Sequence, residues 1–173
     1  ALQNLVWGAA QPFAGMLADK IGSKRVMALG GAFYALGVVL MPYSNDGVLF
    51  AITAGLFVGL GLSGTAFGIV YGAVGKAVAP ERRPAALGLE AAIGGAGQLL
   101  MLPVNMTLIE SYGWTTAALV IAVIVAAMIP LALSTGKSEV TPPQASELTM
   151  RQTLANAFVD RDFWLLTVGF LAC

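Results

Sequence analysis

Five apolar runs, at 1–18, 26–42, 48–75, 85–109 and 114–133, carry one charged residue among them, Glu90. A sixth run opens at 163 and continues to the last residue, Cys173. A helix needs about 20 mostly apolar residues to cross a bilayer, so each run fits one crossing. The run 48–75 is the longest. As one straight helix it would be about 42 Å long, longer than a bilayer core, and is expected to tilt or protrude. The expected fold is therefore all-α and integral to the membrane.

The connections between the runs alternate in charge. Residues 19–25, 76–84 and 134–162 hold all nine Lys and Arg, while 43–47 and 110–114 hold none. Cytoplasmic loops of membrane proteins are enriched in Lys and Arg, which puts 19–25, 76–84 and 134–162 in the cytoplasm. A wrong number of spans would have broken this alternation. Spans and topology therefore support each other.

Composition removes several function classes. Charged residues make up 10% of the chain, against about 25% in a soluble domain. With zero net charge, no global basic surface exists for nucleic acid. There is no histidine, which excludes Ser-His-Asp and Cys-His catalysis and imidazole ligation of a metal. The single cysteine excludes an internal disulfide and any CxxC site. No enzyme, metal or cofactor is expected. The chain starts at Ala1 within one apolar run and stops within another, and is read as a fragment cut at both ends. No basic residue precedes the first run, so a signal peptide is not expected.

The segment 134–162 is the polar stretch of the chain. Pro142-Pro143 marks a linker, and Thr149-Met-Arg-Gln152 has the form of a capping box. Met150, Leu154 and Phe158 recur every four residues, which suits a short surface helix. The alternative is a solvated connector.

Gly59-Leu-Gly-Leu-Ser-Gly64 matches the spacing of a dinucleotide fingerprint, with Glu81 about 20 residues beyond. That motif needs a strand before it and a helix opening within it. Here it lies inside an uncharged run, so cofactor binding is rejected. The pairs Gly55/Gly59, Gly64/Gly68 and Gly68/Gly72 read instead as sites of close helix approach. Pro12, Pro103 and Pro130 lie within spans, where bent helices are tolerated. Ser63 and Thr65 are expected to bond to carbonyls of their own helix.

In the fourth span Glu90, Gly94, Gly97, Gln98, Met101 and Asn105 share about 100° of helix arc. A polar face avoids lipid. It either lines a substrate path or makes hydrogen-bonded helix packing. Tyr71, Gln98 and Asn105 are the candidate path residues. Glu90 lies a few residues from the cytoplasmic end of its span and is expected to pair with Arg82 or Arg83 at the interface. Proton coupling is the other reading.

The first basic connection and the span before it read Gly-Met-Leu-Ala-Asp-Lys-Ile-Gly-Ser-Lys-Arg over 15–25. This resembles the signature of the major facilitator superfamily, roughly G-x-L-a-D-r-x-G-r-r/k. Gly15, Asp19, Lys20, Gly22, Lys24 and Arg25 match it, as do Leu17 and Ala18. The resemblance implies that the five spans are helices two to six of that fold. It makes 134–162 the cytoplasmic central loop and 163–173 the start of helix seven, the first of the C-terminal half. The stretch 67–104 and the segment Asp162–Cys173 are similar to bacterial members near the monocarboxylate and oxalate/formate carriers. The run 48–75 lacks the arginine that many proton-coupled members carry in helix four, and 113–116 reads Gly-Trp-Thr-Thr where many have Gly-Trp-Arg.

Physically, Gly15 and Gly22 permit close approach and a tight turn. Asp19 can accept bonds from a helix N-terminus, and Lys24 and Arg25 hold the turn at the headgroups. The resemblance adds a role: a cytoplasmic gate latch between two halves. It implies a secondary transporter of small organic solutes, carboxylates among them, working by alternating access as symporter or antiporter. The implied setting is a bacterial inner membrane. The partners would be the bilayer, a substrate, a coupling ion and the missing C-terminal half. The alternative is a non-transporting receptor or assembly protein of the same fold.

Overall fold

The computed structural model describes residues 1–134, 159–161 and 164–165. The chain divides into two units, Ala1–Val140 and Thr141–Cys173. The expected surface helix near 149–158 lies outside the described residues. Of the expected start of helix seven, only Trp164 and Leu165 are described; both are helical and exposed.

The described residues of the first unit are almost all helical, with no strand among them. Helix α1 (Leu2–Ile21) runs into α2 (Ser23–Leu40) across one residue, Gly22. Its φ of 92° is a left-handed value that side chains with a Cβ resist. Where the charge pattern suggested a loop over 19–25, the helices continue through it. Asp19 and Lys20 end α1, and Lys24 and Arg25 open α2. The Gly22 N–H donates to Ala18 O (3.0 Å), and its carbonyl accepts from Arg25 N (3.2 Å). One glycine thus reverses the chain, with both its N–H and its carbonyl hydrogen-bonded.

After a 3-10 turn at Met41–Tyr43, Asp46 caps α3 (Gly47–Phe50), its Oδ1 accepting from Leu49 N at 2.7 Å. A π-helical segment, Ala51–Phe57, leads into α4 (Val58–Gly64). Helix α5 (Phe67–Ala77) follows. The uncharged run 48–75 is therefore no single straight rod. It breaks at Thr65 and Ala66, where Ala66 turns extended (ψ 151°). The physical cause is local. Gly59, Gly61 and Gly64 are poor helix formers. The Ser63 hydroxyl donates to Leu60 O (2.7 Å) and Thr65 to Gly61 O (3.1 Å), which ties the end of α4 back upon itself.

A 3-10 turn at Pro80–Arg82 opens α6 (Arg83–Ala126), which Gly113 (φ 78°, ψ 166°) bends into two arms, 83–112 and 114–126. Helix α7 (Met128–Ser134) continues beyond the second arm. Three segments of the described residues are long and apolar enough to cross a membrane: Ser23–Tyr43, Gly47–Gly75 and Pro80–Ser134. The last, at 55 residues, has the length for two crossings, since each takes about 20. Helix α1 is not among them; Gln3, Asn4 and Gln11 lower its hydropathy.

Helix α2 is the hub, packing against α1, α4, α5, α6 and α7. The interior is built from small residues. Its buried members are mostly Ala and Val with Ser23, Thr53 and Ser63, and the largest wholly buried side chain is Thr53. Large apolar side chains such as Phe13, Leu99 and Val123 point outward, at 61%, 76% and 71% exposure. A soluble domain would bury these groups. With lipid outside there is no hydrophobic drive between helices, and close backbone packing of small residues takes its place.

Candidate functional site

Of the six residues expected to form a gate motif, Gly15 and Asp19 meet a crevice between α1 and α5. A cavity of about 350 Å³ is lined by Gln11, Gly15 and Asp19 of α1 and by Ser63, Gly68 and Gly72 from the α4–α5 segment. Ser23 also lines it, at the start of α2. The walls are open because they lack side chains: a methyl placed on Gly15, Gly68 or Gly72 meets nothing within 4 Å. Ala14, Ala18, Val26 and Ile69 form a buried apolar cluster, of which Ala18 and Ile69 also line the cavity. Asp19, Lys20 and Arg25 are exposed, Lys24 is half-buried and Gly22 is buried. The crevice therefore has an acidic rim, polar groups along its walls and room for a small solute.

The helix break adds backbone donors. The first N–H groups of a helix have no intrahelical acceptor, and the N-cap of α5, Ala66, has no side chain to cap them. Ala66 and Gly68 line the cavity. Sequence reasoning missed this break and the part Gln11 plays. The available signal was Ser63-Gly64-Thr65, in which two hydroxyls flank a glycine within one turn.

Tyr71 faces a different neighbour. Its ring packs on Phe67 with centroids 5.7 Å apart, tilted by 37°. Phe67 lies against Gly94: a methyl there would stand 3.4 Å from the ring. Helices α5 and α6 run antiparallel about the turn at Pro80–Arg82. Residues equally spaced from that turn therefore sit level: Phe67 with Gly94, and one turn nearer Pro80–Arg82 Tyr71 with Glu90. Glu90 is half-buried, and its Oε2 is shielded with no hydrogen-bond partner among the described residues.

Arg82 and Arg83 do not reach Glu90. Seven residues of helix rise about 11 Å, and the Arg83 Nε donates to Val78 O (3.3 Å). No ion pair joins either arginine to Glu90 among the described residues. Farther along the first arm Gln98 is exposed and Asn105 half-buried, its Oδ1 shielded without a partner. Among the described residues neither bonds to the other or to Tyr71. The polar face is thus covered at Glu90 and Gly94 and again at Asn105, and open between them at Gly97, Gln98 and Met101.

Comparison with known proteins agrees with this architecture. The family model described as Major Facilitator Superfamily matches residues 1–173. Human monocarboxylate transporter 11 is 29% identical over 130 residues, covering 75% of this chain and 27% of the relative. Human monocarboxylate transporter 2 is 33% identical over 117 residues, 65% of this chain and 23% of the relative. The uncharacterized MFS-type transporter YcxA of Bacillus subtilis is 25% identical over 157 residues, 91% of this chain and 37% of the relative. The chain thus spans about a quarter to a third of the length of these relatives. No solved structure gives a significant match.

Proposed function

This chain belongs to the major facilitator superfamily and to a multi-pass membrane transporter, and from that premise we propose that the complete protein moves small monocarboxylates by alternating access. The observation that carries the proposal is the position of the gate motif. Gly15 and Asp19 stand at a solute-sized crevice, beside a hairpin whose reversal rests on one glycine. A rigid hairpin that ends in an acidic rim is suited to make and break a contact as two halves rock about a midplane site. In this reading the five spans are helices two to six of the fold. The basic connections face the cytoplasm of a bacterial inner membrane. Tyr71, Gln98 and Asn105 line the path, and the remaining helices supply the other side of it. The carboxylate class is supported by the likeness to monocarboxylate transporters 11 and 2.

Reconstitution of the complete protein into liposomes with labelled short monocarboxylates tests this. Saturable uptake that Asp19→Asn abolishes without loss of folded protein is the expected result. Absence of flux for every carboxylate tried overturns the substrate class. Unchanged uptake in Asp19→Asn overturns the latch.

A further inference from the structure

We propose that Asn4, Trp7 and Gln11 of α1 form a wall that holds the substrate's carboxylate by neutral N–H donors, an inference that rests on the transport reading above. At about 100° per residue the three share roughly 60° of helix arc. Gly15 and Ala18 continue the same stripe toward Asp19. Gln11, Gly15 and Ala18 line the crevice between α1 and α5, so the stripe extends that crevice along the rest of α1. Gln3 lies off it, on the side whose backbone meets Gly59.

The indole of Trp7 is the sharpest sign of a ligand. The residue is half-buried, and its Nε1 is shielded with no hydrogen-bond partner among the described residues. Buried polar groups are nearly always bonded, and an indole N–H only donates. What Trp7 lacks is therefore an acceptor. Asn4 and Gln11 stand one turn to either side, both exposed. Neither amide makes a hydrogen bond among the described residues. A polar stripe of this kind avoids lipid.

An ionised carboxylate is the complementary group, because it only accepts. The five apolar runs hold no Lys or Arg. An anion that enters between these spans must be met by neutral donors. Helix α1 holds their densest set. In α6 Gln98 and Asn105 stand seven residues apart, and the runs 26–42 and 48–75 hold no amide or indole. Hydrogen bonds to an ionised acceptor are shorter and stronger than neutral ones. The ring of Trp7 adds apolar area beside its donor, which suits the hydrocarbon end of a short monocarboxylate. Asp19, the one carboxylate of α1, stands eight residues beyond Gln11. That is about 12 Å along the axis, which sets its charge apart from the donors.

The test uses the complete protein in liposomes, with labelled lactate as the probe and KM read apart from the maximal rate. The unfolding midpoint in detergent is the second readout. Trp7→Phe keeps the ring and removes the N–H. The expected result is a KM raised about ten- to a hundredfold, the worth of one hydrogen bond to a charged group, with the maximal rate held. Gln11→Leu raises KM in the same way, and Gln11→Asn, which keeps the donors, brings it back toward wild type. A Trp7→Phe protein whose midpoint falls while KM stands overturns the inference, since the N–H is then bonded to another helix of the complete protein. A lower maximal rate at unchanged KM overturns it too, because the stripe would then act on the conformational step. If Trp7→Phe does not fold, Gln11→Leu decides by the same criterion, and an unchanged KM overturns the inference. A wild-type protein that takes up lactate with a KM neither variant moves defeats this inference alone. A wild-type protein that moves no carboxylate defeats the transport reading, and this inference with it.

Discussion

Gly30 and Gly64 meet backbone to backbone: a methyl on Gly30 would stand 2.8 Å from the Cα of Gly64. The contact joins the hub helix α2 to the end of α4, one residue before the chain breaks. On the same seam a methyl on Gly61 would stand 2.5 Å from the Tyr34 nitrogen. On both residues the obstacle is backbone, which cannot swing away as a side-chain tip does.

Gly30→Ala and Gly61→Ala are therefore expected to destabilise the protein. Overpacking of a tight core costs about 1–3 kcal/mol, and these sites belong at the upper end. Gly68→Ala and Gly72→Ala place their methyls in open space and also gain helix propensity. Thermal unfolding of the complete protein in detergent should show lower midpoints for the first pair and no fall for the second. Equal falls in all four would contradict the packing described here.

The reversal at Gly22 makes a separate demand. At φ 92°, Gly22→Ala introduces left-handed strain of about 1–2 kcal/mol. The expected outcome is a less stable protein with a displaced hairpin. Cysteine accessibility at positions 20 and 24, measured in membranes, reads that displacement; wild-type labelling at both would show that the turn accepts a Cβ.

Thr53 is the polar centre of the π-helical segment. Its hydroxyl bonds Leu49 O (3.0 Å) and lies 3.1 Å from the Ser44 hydroxyl. Thr53→Val keeps the shape and removes these bonds. Because Ser44 retains Leu40 O at 3.3 Å, the expected loss is about 1 kcal/mol. Thr53→Ala also leaves a void where a wholly buried side chain stood, and should cost more. A stability order of wild type, Val, Ala in a chemical denaturation series checks this.

Filling the crevice separates its role from packing. Gly72→Leu projects a side chain into the 350 Å³ cavity without touching the seam. Carboxylate uptake should fall while the unfolding midpoint holds. Full uptake with a normal midpoint would show that the crevice is not part of the transport cycle.

Much of this was legible one residue at a time. Apolar runs and their alternating basic connections determine an all-helical membrane protein, because bilayer thickness and the placement of Lys and Arg act on local composition. The motif at 15–25 carried the family for the same reason: its residues are contiguous. The bonding of Ser63 and Thr65 to their own helix was also readable, since it involves neighbours three and four positions back.

Tertiary structure decided what depends on distant partners. Gly55 and Gly59 do pack, against Leu2 and Val6 of α1, and Gly64 packs on Gly30, yet Gly68 and Gly72 line open space. In sequence these glycines belong to identical G-x-x-x-G pairs. A missing side chain permits close approach but does not select a partner; only the placement of α1 and α2 does. The same holds for Glu90. Its spacing from Arg82 and Arg83 allowed an ion pair at an interface. The antiparallel register of α5 and α6 sets it level with Tyr71 instead, about 11 Å of helix rise from Arg83.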